Sequence, residues 1–226
     1  MKILVMIVEG LALIGGTIGC GQSVTPSACY VRSDSNVTVH SFGDSITVGG
    51  GASNNCNGYV PLFDRMINAT SDNEGISGSP LTDEMSVILG DWSSKQQDIS
   101  TLLPGFNDVR LYGSDPTHLA EFEQALTLAI QTLANKTRLV LVGTTLYATL
   151  LMQQTQIPNQ TNANVDLYVN VIKQVISSLS YPNVVLVDTN AIYNPDTMSY
   201  NNFHPDDTGH EVIAQAFYQQ YLLYSN

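Results

Sequence analysis

Two short stretches of the chain are apolar without a break: Leu139–Val142 inside Arg138–Gly143, and Val184–Val187 inside Asn183–Asp188. A strand with one wet face alternates apolar and polar residues. A strand that is apolar at every position is covered on both faces, as the strands of parallel sheets are. The segments around them have a different period. Over His118–Asn135 apolar residues recur at Leu119, Phe122, Leu126, Ile130 and Leu133, spaced three and four apart. That spacing predicts an amphipathic helix, with Thr117 as its candidate cap. Val165–Leu179 and Asp207–Tyr221 also read as helices, and Gly58–Asn68 and Pro80–Gly90 as shorter ones. Val37–Phe42 and Ile99–Leu103 read as further strands. Strands alternating with helices predict an α/β fold: a parallel sheet with helices on both faces and a site beyond the carboxyl ends of the strands.

The ends of the chain follow other rules. Met1-Lys2, the apolar run Ile3–Ile18 and Gly19-Cys20 have the layout of a secretory signal, so residues 1–20 are expected to be a leader. Glu9 and Gly15-Gly16 interrupt the run and argue against a membrane-spanning anchor. Thr17-Ile18-Gly19-Cys20 is also similar to a lipoprotein cleavage box, which leaves free secretion and lipid anchoring through Cys20 both open. Residues 21–36 are polar and read as an arm, and residues 37–226 as one domain. In an exported chain, Cys29 and Cys56 are expected to pair as a disulfide, the alternative being two free thiols. The sequons at Asn36, Asn68, Asn135 and Asn159 are no more than chance supplies. A net charge of −12 with eight Lys and Arg argues against nucleic-acid and anionic-membrane partners. No Cys/His spacing fits zinc, and no cofactor or metal is expected.

Two short blocks suggest chemistry. Gly43-Asp44-Ser45 follows the first predicted strand, and His204-Pro205 precedes the last predicted helix. A serine exposed at a strand-to-helix turn is a nucleophile once a base removes its proton, and imidazole titrates near neutral pH. Four blocks in order, Phe42–Gly49, Asn73–Gly78, Gly105–Asp108 and His204–His210, resemble the SGNH (GDSL-type) serine hydrolase family over nearly the whole domain. The resemblance implies a three-layer α/β/α, flavodoxin-like sandwich with a central, mainly five-stranded parallel sheet. It implies carboxylic-ester hydrolysis through an acyl-enzyme, with Ser45 as nucleophile and His204 as base. It also implies an oxyanion hole built from the N–H of Ser45, the N–H of Gly78 and the side-chain amide of Asn107. Asp44 and Asp108 are expected to satisfy loop backbone. His40, His118 and His210 are read as structural.

One position departs from the family's pattern. Asn201 stands where an Asp is usual, three residues before the histidine. An amide can orient an imidazole but supplies no negative charge. Three readings follow: Asn201 orients His204, another acceptor such as a backbone carbonyl or Asp196 does so, or the chain is a non-catalytic, glycan-binding relative. The loop Gly49–Gly58 and the Asn/Gln/Thr-rich stretch Gln153–Asn164 are polar. The latter is either a rim loop of the site or a solvated connection. That polarity leans toward short acyl groups, acetyl above all, on a carbohydrate-like partner. A lipase, lysophospholipase or thioesterase activity is the alternative. No oligomeric state is read from the sequence.

Overall fold

The computed structural model describes Cys29, residues 36–90 and residues 97–225. The expected leader, Cys20 and most of the polar arm lie outside the described residues. In chain order the elements are β1 (Val37–Gly43), α1 (Ser45–Val48), α2 (Tyr59–Ile67), β2 (Ala69–Asn73), α3 (Leu81–Ile88), β3 (Gln97–Leu103), α4 (Phe106–Tyr112) and α5 (Pro116–Lys136). They continue with β4 (Thr137–Gly143), α6 (Leu150–Thr155), α7 (Asn162–Leu179), β5 (Val184–Val187), α8 (Thr189–Ile192), α9 (Pro195–Met198) and α10 (Asp207–Ser225). The described strands form one all-parallel sheet in the order β2-β1-β3-β4-β5. The three-layer α/β/α sandwich is therefore as expected.

The two-residue period of a strand sorts the core into two halves. Leu139 and Leu141 face one side of the sheet, where they join Tyr59 and Phe63 of α2 and Ile213 and Phe217 of α10. Val140 and Val142 face the other side, with Phe122, Leu126 and Ile130 of α5 and Tyr168 and Ile172 of α7. Burying such side chains contributes on the order of 1.5–3 kcal/mol each before the entropy of ordering the chain is set against it.

One strand is added to those read from the sequence, and one cap changes. Ala69–Asn73 is strand β2, paired in register from Val37↔Ala69 to Ser41↔Asn73. Its sequence, Ala-Thr-Ser-Asp-Asn, has no apolar run, and Ala69 is its one buried residue. Helix α5 is capped by Asp115, not Thr117: Asp115 Oδ1 accepts the N–H of His118 at 2.8 Å, and Pro116 occupies the first helical position, where no N–H is needed.

The order of the strands fixes where a ligand can sit. The chain moves outward from β1 to β2, then crosses back over β1 to β3, so a crevice opens between the carboxyl ends of β1 and β3. The last register pair of those strands is Gly43↔Leu103. Ser45 lies two residues beyond one partner and Asn107 four residues beyond the other. No described helix is long and apolar enough to cross a membrane.

Candidate active site

Strand β1 ends at Gly43, whose φ of +145° favours glycine. A Cβ there would collide with Thr47 Oγ1 and stand 2.8 Å from the carbonyl of Leu103. Asp44 then caps α1, its Oδ1 accepting the N–H of Ile46 at 2.9 Å. Ser45 is the first helical residue, and its Oγ lies 2.9 Å from Nε2 of His204. The pair joins positions 159 residues apart.

The loop carrying His204 is fastened on several sides. The N–H of Tyr200 donates to the carbonyl of His204 at 2.9 Å, and Ser199 pairs with Pro205 in an antiparallel bridge. Asn202 has a φ of +62°, a turn conformation that asparagine tolerates. Its carbonyl accepts from the N–H and Oγ1 of Thr149, at 3.2 and 3.3 Å. The ring of Phe203 stands edge-on to the imidazole with centroids 4.5 Å apart, and Phe106 packs edge-on against Phe203 in turn. Burial holds the imidazole pKa below its ordinary value, helped by His210 and Arg110, which favours the neutral ring, the form that can accept a proton.

The glycine-rich loop after Ser45 closes over this histidine. A Cβ on Gly50 would lie 3.0 Å from His204 Cδ2, and one on Gly51 would strike the Pro205 carbonyl and come within 2.8 Å of His204 Cβ. His210 holds the loop from below. Its Nδ1 accepts the N–H of Tyr59 at 3.2 Å, so Nε2 carries the proton donated to the carbonyl of Gly50 at 3.0 Å. Asp207 accepts from the N–H and Oγ of Ser53 and from Nδ2 of Asn57, at 2.6–2.8 Å. The disulfide between Cys29 and Cys56 ties the same loop to the segment before the domain.

Donors gather on the other side of Ser45. The loop before α3 lies on the β1–α1 turn, where the N–H of Ile76 donates to the carbonyl of Gly43 at 2.8 Å. Gly78 is exposed with a φ of +85°. Neither its N–H nor that of Ser45 donates to another described residue. Asn107, in the first turn of α4, is buried. Its Oδ1 accepts Nε–H of Arg110 at 2.8 Å and its Nδ2 donates to Asp44 Oδ2 at 3.2 Å, leaving one N–H of the amide over. Asp44, Glu84 and Asp108 are buried together here. Burial, reinforced by the like charge of Asp108, pushes the Asp44 carboxyl up to about 7, and burial also raises Glu84.

The structure thus brings Ser45, His204 and Asn107 to one crevice, with Gly78 on the loop that borders it. It treats Asn201 differently. The exposed Asn201 side chain turns Oδ1 to the main-chain N–H groups of Phe203 and His204, at 3.2 and 2.8 Å, and not to the imidazole. Direct orientation of the ring by this amide is therefore corrected to support of its backbone. Asp196, the other candidate, donates its own N–H to Asn194 Oδ1 in the turn before. Among the described residues none accepts from Nδ1 of His204.

Asp44 and Asp108 do satisfy loop backbone, at Ile46 and Leu81, but each also binds a side chain, Asn107 and His118 respectively. The stretch Gln153–Asn164 is not a free loop. Its first residues finish α6 and its last begin α7, and Asn159 Nδ2 donates to the carbonyl of Leu111 at 3.2 Å. The rim is also less polar than its sequence: Leu150 and Leu151 are 63% and 58% exposed beside Thr149, and Tyr200 is 74% exposed on the His204 loop. Arg110 was not legible as a site residue, although its place three residues after Asn107 is the spacing at which helical side chains meet.

Comparison with known proteins bears on the family and the fold. The profile of the GDSL-like lipase/acylhydrolase family matches residues 41–212. No curated protein matches. Among solved structures, an acetylxylan esterase from Geobacillus stearothermophilus is 24% identical, with 82% of this chain and 94% of that one covered at a TM-score of 0.65. An α/β hydrolase from the metagenome of Lake Arreo, Spain, is 22% identical, with coverage of 82% and 94% and a TM-score of 0.63. A lipase/acylhydrolase from Enterococcus faecalis is 20% identical, with coverage of 81% and 94% and a TM-score of 0.66. At these identities the likeness is one of fold.

Proposed function

The chain belongs to the GDSL-like lipase/acylhydrolase family and is a carboxylic ester hydrolase, and we propose that it removes short acyl groups from a polar, carbohydrate-like alcohol through an acyl-enzyme on Ser45. The 2.9 Å contact between Ser45 Oγ and His204 Nε2 carries this reading. In the proposed sequence, Nε2 takes the hydroxyl proton as Oγ bonds to the ester carbonyl carbon. The carbonyl π electrons move onto oxygen. The N–H groups of Ser45 and Gly78 and the remaining N–H of Asn107 receive that oxyanion, each worth about 10²–10³ in kcat in such sites. The intermediate then collapses, and the leaving alkoxide takes the proton from Nε2. Water repeats the cycle on the acyl-enzyme, releasing the carboxylic acid and free Ser45.

Support for an acetylated carbohydrate comes from the polar loop Ser53–Asn57 beside the site and from the structural likeness to an acetylxylan esterase. The exposed Leu150, Leu151 and Tyr200 favour a second reading, in which the rim accepts a longer acyl chain. Acetate release from acetylated xylo-oligosaccharides, set beside hydrolysis of p-nitrophenyl octanoate, separates the two. Efficient deacetylation with at least about tenfold lower kcat/KM on octanoate supports the first reading. The reverse order establishes the second. Export is part of the proposal and is supported by the Cys29–Cys56 disulfide, since such bonds persist in oxidising compartments.

A further inference from the structure

Of the three donors assigned to the oxyanion, two are main-chain N–H groups and one, the Asn107 amide, is a side chain free in principle to flip. Both of its ends are held by charged residues. Arg110 donates Nε–H to Oδ1 at 2.8 Å, and Asp44 Oδ2 accepts from Nδ2 at 3.2 Å. A flipped amide would turn its N–H groups on the Arg110 guanidinium, a repulsive contact, and would lose the N–H it donates to Asp44, setting oxygen against oxygen wherever that carboxyl is ionised, in a site where Asn107 and Asp44 are buried and water is largely kept away. The other oxygen of Asp44 already has a task, the N–H of Ile46 at 2.9 Å in the turn that presents Ser45.

We propose that Asp44 is a positioning residue of the esterase site: one buried carboxylate that locks the oxyanion-binding amide of Asn107 and the nucleophile's turn into a single frame, which Arg110 closes from the far side. The proposal rests on the reading of Ser45 and Asn107 given above. It assigns Asp44 more than the cap of a four-residue helix. Asp108, next to Asn107, extends the frame. Its Oδ2 accepts the N–H of Leu81, three residues past Gly78, and its Oδ1 pairs with His118 Nε2, both at 3.0 Å. The segments carrying all three donors are thereby linked through two buried carboxylates.

Asp44→Asn tests the idea cleanly. The new amide oxygen can still accept from Ile46, so the cap survives, but an N–H₂ group now faces the N–H₂ of Asn107. With p-nitrophenyl acetate the expected result is a fall in kcat on the order of 30-fold with KM within about threefold, the pattern of a contact felt in the transition state. The decisive readout is a double-mutant cycle. In an Asn107→Ala background the same Asp44→Asn change is expected to cost less than about threefold, because the group it acts through is gone. A full cost that persists in that background overturns the proposal, as does a kcat within threefold of wild type for the single variant. If thermal unfolding shows that Asp44→Asn does not fold, Arg110→Met at a half-buried position replaces it in the cycle, with the same non-additive pattern expected and additivity again overturning the frame. A wild-type protein without Ser45-dependent turnover would count against the ester-hydrolase mechanism instead. The cycle is then read as the rate of phosphonate labelling of Ser45, and an unlabelled wild type overturns both.

Discussion

The side-chain oxygen of Asn201 accepts the main-chain N–H of His204 at 2.8 Å, so the residue in the usual place of a triad acid braces the base's backbone. A carboxylate at 201 can keep that contact with one oxygen and leave a second, charged oxygen in the same loop. In a serine protease the exchange of triad Asp for Asn costs about 10⁴ in kcat. Asn201→Asp is therefore expected to raise kcat at neutral pH by on the order of tenfold or more. The acid limb of the pH–rate profile should move up with it. In wild type that limb is expected below the ordinary histidine value, because burial, His210 and Arg110 all disfavour imidazolium. A folded Asn201→Asp variant with lower kcat would show that the loop needs the amide itself.

Gly51 is expected to be intolerant of a side chain. Its φ is +92°, and a Cβ would strike the carbonyl of Pro205 beside His204. Gly51→Ala should displace the base, and a misplacement of about 1 Å can cost on the order of 10² in rate. Unfolding should shift by about 1–3 kcal/mol for the strained backbone. Steady-state kinetics and thermal unfolding of the variant check both. Unchanged kcat would mean that the loop does not position the histidine.

Asp64 predicts a pH-dependent stability. It is buried in α2, its Oδ2 accepts from Ser71 Oγ, and its Oδ1 has no partner among the described residues. Burial pushes its carboxyl up to about 7. The folded protein therefore holds a proton that the unfolded chain gives up between about pH 4 and pH 7. Its contribution to stability is present below the unfolded pKa and is lost as the pH rises through the folded one. Asp64→Asn should change little near pH 4 and stabilise at pH 8, by on the order of 1 kcal/mol or more, or roughly 2–4 °C per kcal/mol. Melting temperatures across that range decide it, and equal effects at both ends contradict it.

Removal of the disulfide should act through the unfolded chain. Cys29 and Cys56 are 27 residues apart, and the loop-entropy relation assigns such a closure about 3–4 kcal/mol. Cys56→Ser should lower stability by up to that amount and, because the bond anchors the loop over His204, should reduce kcat as well. Denaturant unfolding of the variant and of reduced wild type should agree. A variant as stable as the oxidised protein would rule the anchor out.

The sheet was legible where burial left a mark on the sequence. Strands β4 and β5 carry uninterrupted apolar runs, and α5 and α7 keep the spacing of one buried face. Strand β2 was hidden because Thr70, Ser71, Asp72 and Asn73 leave no apolar pattern to read. The short helices α4, α6, α8 and α9 were hidden because four to seven residues cannot establish a period. Within the site, Ser45, Asn107 and His204 were found as ordered blocks. The target of Asn201 Oδ1 and the clasp of Arg110 and Asp44 on Asn107 depend on side-chain direction, which spacing alone does not encode.

The most direct measurement is the intact mass of the protein after reaction with a p-nitrophenyl phosphonate, for wild type, Ser45→Ala and His204→Ala. A nucleophilic serine activated by a histidine without an acidic partner at the triad position predicts one adduct on wild type, located at Ser45 by peptide mapping. It predicts no adduct on Ser45→Ala and labelling slowed by at least about 10³-fold in His204→Ala. Labelling at another residue, or at Ser45 with the same rate in the absence of His204, would contradict the account.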